Sequence, residues 1–206
     1  MIPRSAAPPC DLWPNHAAFK KMSAPSFQQV AIRPVELSDA DEVQRYASDA
    51  RLAATCNVPH PYPDDGGRQF VQRSIIAREK GERYPSAVIV GGKFAGLMGL
   101  NAIDLNRGKA ELDYWIAVPF WGHGVGTAAA RLAVALAFRG LKLQTVFSGC
   151  LCGNPASCRV LEKVGFTEIE TIINDGTYGQ KFDNQPIRRF KLDRADWEQR
   201  ADSRFS

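Results

Sequence analysis

The chain has 206 residues, enough for one domain with a full core and short for two. Hydrophobic residues make up 45% and charged residues 23%, an ordinary globular balance, and no apolar run approaches the ~20 residues that span a bilayer. Lys and Arg number 26 against 22 Asp and Glu; a net charge of +4 without a dense basic block argues against a nucleic-acid partner.

In chain order, residues 1–28 show no hydrophobic period and are broken by Pro3, Pro8, Pro9, Pro14 and Pro25, so they are expected to form an N-terminal tail. They carry no apolar core of a secretory signal, and the expected location is the cytoplasm. A strand is predicted from Gln29 to Pro34. Ser38-Asp39-Ala40-Asp41 suggests a capped helix start, with Ser38 accepting from the first turn and a helix to about Asp49. Residues 57–66 are rich in Pro, Asp and Gly and read as a loop. A second helix is expected from about Gly67 to Lys80, with Phe70, Ile75 and Ile76 on its buried stripe. Ser86 to Val90, Phe94 to Ile103 and Ala110 to Val118 are three predicted strands, joined by turns at Gly91-Gly92 and Asn106-Arg107-Gly108, an antiparallel meander. An Ala-rich helix from Thr127 to Phe138, stopped at Arg139-Gly140, and a strand from Thr145 to Leu151 follow. This strand–helix–strand unit favours parallel pairing. A helix opens at Asn154-Pro155 and ends at Val164-Gly165, and strands at Glu168 to Ile173 and Ile187 to Leu192 complete one α/β domain over residues 29–195. Residues 196–206 are expected to be a C-terminal tail.

The five cysteines, Cys10, Cys56, Cys150, Cys152 and Cys158, are odd in number and fit no disulfide framework. They lack the C-x-x-C pairs or nearby histidines of a zinc site, so no metal is expected and the thiols read as small, partly buried side chains.

The densest chemical signal is Trp121-Gly122-His123-Gly124-Val125-Gly126-Thr127, between a strand and a helix. Glycines permit positive φ and close approach of the backbone to a ligand, and the first helical turn leaves N–H groups unpaired at the positive end of the dipole. Together these make an anion site. A P-loop would need a Lys that is absent here. A dinucleotide loop would need its third glycine one position later and an acid about 20 residues on, where Leu141 to Gln144 offers none.

A second motif, Asn154-Pro155-Ala156-Ser157-Cys158-Arg159-Val160-Leu161-Glu162-Lys163-Val164-Gly165-Phe166, follows about 30 residues later, and Glu111 with Tyr114-Trp115 precedes the glycine loop. With these three in this order, the chain resembles the GNAT acetyltransferase superfamily, and within it the branch named for the ribosomal-protein N-terminal acetyltransferases RimJ and RimL. Pro61-Tyr62-Pro63 is similar to that branch's loop after its first helix. The resemblance implies an α/β (α+β) GNAT-like fold: a mixed, mostly antiparallel central sheet splayed between two parallel strands, with flanking helices.

It also implies chemistry. An amine attacks the thioester of acetyl-CoA directly, with no covalent enzyme intermediate, so no cysteine is a candidate nucleophile. The strand is expected to splay near Ile116, Ala117 and Val118, offering backbone groups to the pantetheine arm. Trp121, Gly122, His123, Gly124, Val125, Gly126 and Thr127 are expected to hold the pyrophosphate, with His123 a solvated neighbour rather than a base. Glu111 and Asp113 share one strand face; either could take the amine proton, and Glu111 is favoured because the family often has an acid there. Asp113 stands where a small residue is usual. The tyrosine that many GNAT enzymes place before Gly-Phe is here Leu161. Ser157 stands one turn earlier on the same face, where the resemblance to the RimJ/RimL-like branch implies a serine near the sulfur, so Ser157 is expected to donate to the leaving thiolate. Asn154 is expected to bind the pantetheine amides or an ordered water, and a helix N-cap is an alternative compatible with that role. The acceptor is a small-molecule amine or a protein N-terminus, and the chain acts as a monomer or homodimer. The alternative is a CoA-binding module without catalysis.

Overall fold

The computed structural model describes residues 29–202. The expected N-terminal tail lies outside the described residues. Strand β1 (Val30–Pro34) is followed by a 3-10 turn (Leu37–Asp39) and helices α1 (Ala40–Ala47), α2 (Ala50–Ala53) and α3 (Gly66–Glu79). The meander β2 (Tyr84–Val90), β3 (Lys93–Asp104) and β4 (Lys109–Ile116) comes next. Helix α4 (Val125–Ala135), β5 (Thr145–Leu151), α5 (Pro155–Val164), β6 (Thr167–Ile173), β7 (Pro186–Asp193) and α6 (Arg194–Asp202) complete it. Among the described residues, no helix is long and apolar enough to cross a membrane.

All the strands join one sheet in the order β1-β2-β3-β4-β5-β7-β6, antiparallel except for the parallel pair β4–β5. Helices α4 and α5 cover one face. Ala129, Ala130 and Ala133 of α4 are buried there against Leu112, Phe138, Leu161 and Phe190. Small side chains let that helix lie close to the sheet, and each fully buried large one contributes ~1.5–3 kcal/mol. Helices α1 and α3 cover the other face through Val43 and Val71, over Phe94, Leu97 and Trp115.

Several local expectations change. Asp39, not Ser38, secures the start of the first helix: it accepts from Glu36 N–H at 2.8 Å and from the Arg33 guanidinium at 2.6 and 2.8 Å. That buried carboxylate ties the end of β1 to α1. Ile76 is half exposed, and Val71 and Ser74 are the buried positions of α3 together with Gly66 and Gly67. Gly67 is where α3 crosses α1: a β-carbon there would stand 2.4 Å from Ala40 O. Gln44 of α1 fastens the crossing, accepting from Gly67 N–H at 2.8 Å and donating to Pro63 O at 2.9 Å. Helix α4 runs on through a π turn, Leu136–Gly140, before stopping. Residues 196–202, expected as tail, belong to α6, which docks through Trp197, its ring 5.4 Å from that of Phe138 and beneath the Arg139 guanidinium.

Candidate active site

The parallel pair holds for three residue pairs only, Lys109↔Thr145, Ala110↔Val146 and Glu111↔Phe147. Beyond them β4 stays with β3 as far as Ile116, and β5 stays with β7 as far as Leu151. A gap therefore opens at Leu112, well before the expected Ile116. At its apex the buried Ser148 hydroxyl donates to Leu112 O at 2.8 Å, satisfying a carbonyl that has lost its strand partner.

Peptide groups alternate in direction along a strand, which decides what this gap offers. Ala117 N–H bonds Ala95 O at 2.8 Å, towards β3 and away from the gap. The peptide groups of Ile116 consequently face the gap, where its carbonyl accepts the Trp121 indole N–H at 2.5 Å. Ile116 N–H is thus placed to meet a ligand, whereas the Ala117 donor, expected to do so, is spent on the sheet. Val118 begins a 3-10 turn and its carbonyl accepts from Trp121 N–H at 3.1 Å.

The gap opens into a pocket of about 820 Å³. Of the residues expected at the cofactor, Ile116, Trp121, Gly122, Gly124, Val125, Gly126, Thr127 and Asn154 line it; Ala117, Val118 and His123 do not. His123 is exposed. Gly122 and Gly124 take φ of +78° and +75°, and a β-carbon at either would meet nothing, so backbone conformation alone requires glycine there. The first α4 bond back to the loop is Ala128 N–H to Gly124 O at 3.0 Å. The N–H groups from Gly124 to Thr127 thus have no partner within the helix. Arg159 and Lys163 of α5, both exposed, add positive charge to the same pocket. Open amides at a helix start beside two cations fit a pyrophosphate.

Side-chain alternation puts different chemistry on the two faces of β4. Glu111, Asp113 and Trp115 face the α1–α3 side; Leu112, Tyr114 and Ile116 face α4 and α5. On the first face, burial holds the Glu111 carboxyl above its ordinary range, while a hydrogen bond from Tyr178 and the charge of Arg189 pull it back. Asp113 is open to water inside the pocket yet walled by protein. Burial pushes it up to about 6 against the opposing pull of Arg83 and Asn101. Tyr62 lines this side, whereas His60 is exposed and does not.

On the second face Ser157 opens α5, and its hydroxyl lies 2.9 Å from that of Tyr114. Asn154 is engaged at both ends, accepting from Ser157 N–H at 3.1 Å and donating to Thr55 O at 3.1 Å. Its side chain caps the helix and ties it to the segment after α2, while the residue still lines the pocket. Leu161, where a tyrosine would stand, is fully buried. Cys150 and Cys158 are buried and burial raises the Cys150 thiol; it pushes Cys56 up to about 11. Neither Cys56 nor Cys150 is held as a thiolate.

Tyr178 carries no motif. It comes from the segment between β6 and β7, where its ring lies over Gly149, 2.5 Å from where a β-carbon would be. Lys181 of that segment donates to Ala53 O and, at 2.8 Å, to Val58 O, pinning it to α2 and the residues beyond. Only the two flanking glycines, Gly176 and Gly179, hinted at a shaped turn there.

Comparison with known proteins gives this pocket a setting. The acetyltransferase (GNAT) domain family matches residues 29–167. The putative ribosomal N-acetyltransferase YdaF of Bacillus subtilis (strain 168) is 38% identical over 93 residues, which cover 45% of this chain and 50% of that protein. The matched region thus spans about half the length of this relative. Among solved structures, Mycobacterium smegmatis RimJ in complex with CoA-disulfide superposes with a TM-score of 0.72 at 20% identity, covering 81% of this chain and 82% of that one. Spermidine N-acetyltransferase from Vibrio cholerae, in complex with CoA and spermine, gives 0.71 at 18% identity, with coverage of 82% and 98%. At these identities the structures share the fold.

Proposed function

The chain belongs to the GNAT acetyltransferase family, and from that premise we propose that it transfers an acetyl group from acetyl-CoA to a primary amine while both are bound. One observation carries the reading. The gap between β4 and β5 meets the glycine-loop amides at one end and is flanked by Glu111 on one face of β4 and Ser157 on the other. Acetyl-CoA supplies the activated acetyl group. Gly122, Gly124, Val125, Gly126 and Thr127 would hold its pyrophosphate, and the Ile116 N–H would meet the arm.

An amine arrives as an ammonium and must lose a proton before it can attack. Glu111 takes that proton, directly or through water; its raised proton affinity brings it closer to the strength of base the task needs. Asp113 lies two residues along the same face, about 6.6 Å away at strand spacing, and attracts the incoming cation. Tyr62 and Phe182 add aromatic surface on the acceptor side. Ser157 donates a hydrogen bond to the sulfur as the thiolate leaves. The acceptor is therefore a cationic amine, either a protein N-terminus or a small molecule.

The test is thiol release from acetyl-CoA with a panel of basic N-terminal peptides, polyamines and aminoglycosides, alongside calorimetry of acetyl-CoA binding. Amine-dependent thiol release with an acetylated product by mass spectrometry is expected. Tight binding without release for any amine would make the chain a CoA-binding module instead. Ser157→Ala should slow turnover several-fold; unchanged kinetics would remove Ser157 from the mechanism. Replacing Asp113 with Gly without change in turnover or acceptor choice would remove Asp113 from the acceptor site.

A further inference from the structure

Tyr114 is half-buried in the floor between β4 and α5. Its hydroxyl oxygen lies 2.9 Å from Ser157 Oγ and 3.3 Å from Ser157 O. Two arrangements of the protons satisfy this geometry. In one, Tyr114 donates to Ser157 Oγ, and the serine proton is free to turn to the gap. In the other, Tyr114 donates to the Ser157 carbonyl and the serine proton is spent on the tyrosine oxygen. Only the first leaves a donor for a sulfur anion.

We propose that Tyr114 is the positioning residue that turns the Ser157 hydroxyl into the gap, so that the strand supplies the phenol that α5 lacks at Leu161. The proposal rests on the reading of Ser157 given above. The 2.9 Å contact serves both arrangements, but the unproductive one also needs the Ser157 carbonyl, which at 3.3 Å is the longer and weaker acceptor. Burial raises the phenol far above its ordinary range, so it stays a donor throughout the working pH. An anion in the gap selects the same arrangement, because a sulfur accepting from Ser157 polarises that hydroxyl to accept from Tyr114. The chain of two hydrogen bonds runs from Tyr114 to Ser157 to sulfur. Neither oxygen has to lose its proton for the thiolate to be stabilised.

The experiment is a double-mutant cycle of Tyr114→Phe and Ser157→Ala, with steady-state kinetics on an amine accepted by the wild-type protein. Y114F keeps the ring and removes the donor. It is expected to lower kcat about 3- to 10-fold, the worth of one hydrogen bond. KM for acetyl-CoA and the melting temperature should stay close to wild type. In the S157A background Y114F should have no further effect. A slow S157A beside a wild-type rate for Y114F would overturn the proposal and leave Ser157 in place. Two slow variants whose effects multiply would also overturn it, since Tyr114 would then act independently of Ser157. A wild-type rate for S157A would remove the Ser157 reading and this proposal with it. If Y114F does not fold, Tyr114→Met fills the same space without a donor and carries the same comparison.

Discussion

Two carboxylates two residues apart on β4 are both pushed up by burial, and rate and stability read them separately. Glu111 is raised by burial, and the proposed role uses its ionised form. The rate as kcat/KM should therefore fall as pH drops through its range, with the limb above that of an ordinary glutamate. Glu111→Gln should cost about 10²-fold or more in kcat/KM and abolish that limb. A variant that keeps both rate and limb would shift the proton-accepting role to Asp113. Asp113 offers a separate reading through stability. Its folded-state value of about 6 lies above the ordinary 3.8, so the folded protein holds this proton more tightly than the unfolded chain. The stability this proton contributes is present below 3.8 and lost as pH rises through about 6. Asp113→Asn should then melt higher than wild type above pH 6, and the difference should vanish below 3.8. A constant difference at all pH would assign the effect to packing.

At the scale of elements, the wall proposed for the acceptor depends on a strap. Lys181 donates to Ala53 O and Val58 O, which fixes the segment carrying Tyr178 against α2. Lys181→Met keeps most of the stem and leaves those carbonyls without this donor, a loss of ~1–3 kcal/mol for a buried acceptor. KM for the amine should rise several-fold while KM for acetyl-CoA holds. Equal changes in both would mean the strap supports the whole fold rather than the acceptor side. This wall was the least legible part of the sequence. The strands, α4 and α5 were readable because hydrophobic period, turn glycines and Pro155 are local signals. Lys181 meets its partners across 128 and 123 positions of chain. Tyr178 finds Glu111 only once β4 and β7 lie in one sheet. The placement of Asp39 required seeing Arg33 arrive from β1.

Over the whole molecule the sheet divides into two halves, β1–β4 and β5–β7, joined edge to edge by the short β4–β5 pairing and by the helices packed over it. The splay was legible only as an implication of the motifs. Its opening point is set by where β4 prefers β3 and β5 prefers β7, a competition between pairings that no single segment records. A ligand that fills the gap touches β4, α4 and α5 together, so its binding energy adds to the stability of that junction. If the native state alone binds acetyl-CoA, saturation at about 100 times Kd adds ~2.7 kcal/mol. For a chain of this size that is a rise in melting temperature of roughly 5–10 °C. The acetyl thioester of pantetheine, which lacks the pyrophosphate, should give only a small rise at the same concentration. Gly124→Ala should strain the left-handed position by ~1–2 kcal/mol and turn the loop amides away. That variant should lose most of the acetyl-CoA shift while retaining the small shift from the pantetheine thioester. If the two ligands raise the melting temperature equally, or Gly124→Ala leaves both shifts intact, then the glycine loop does not hold the pyrophosphate and the grip on the ligand lies along β4 alone.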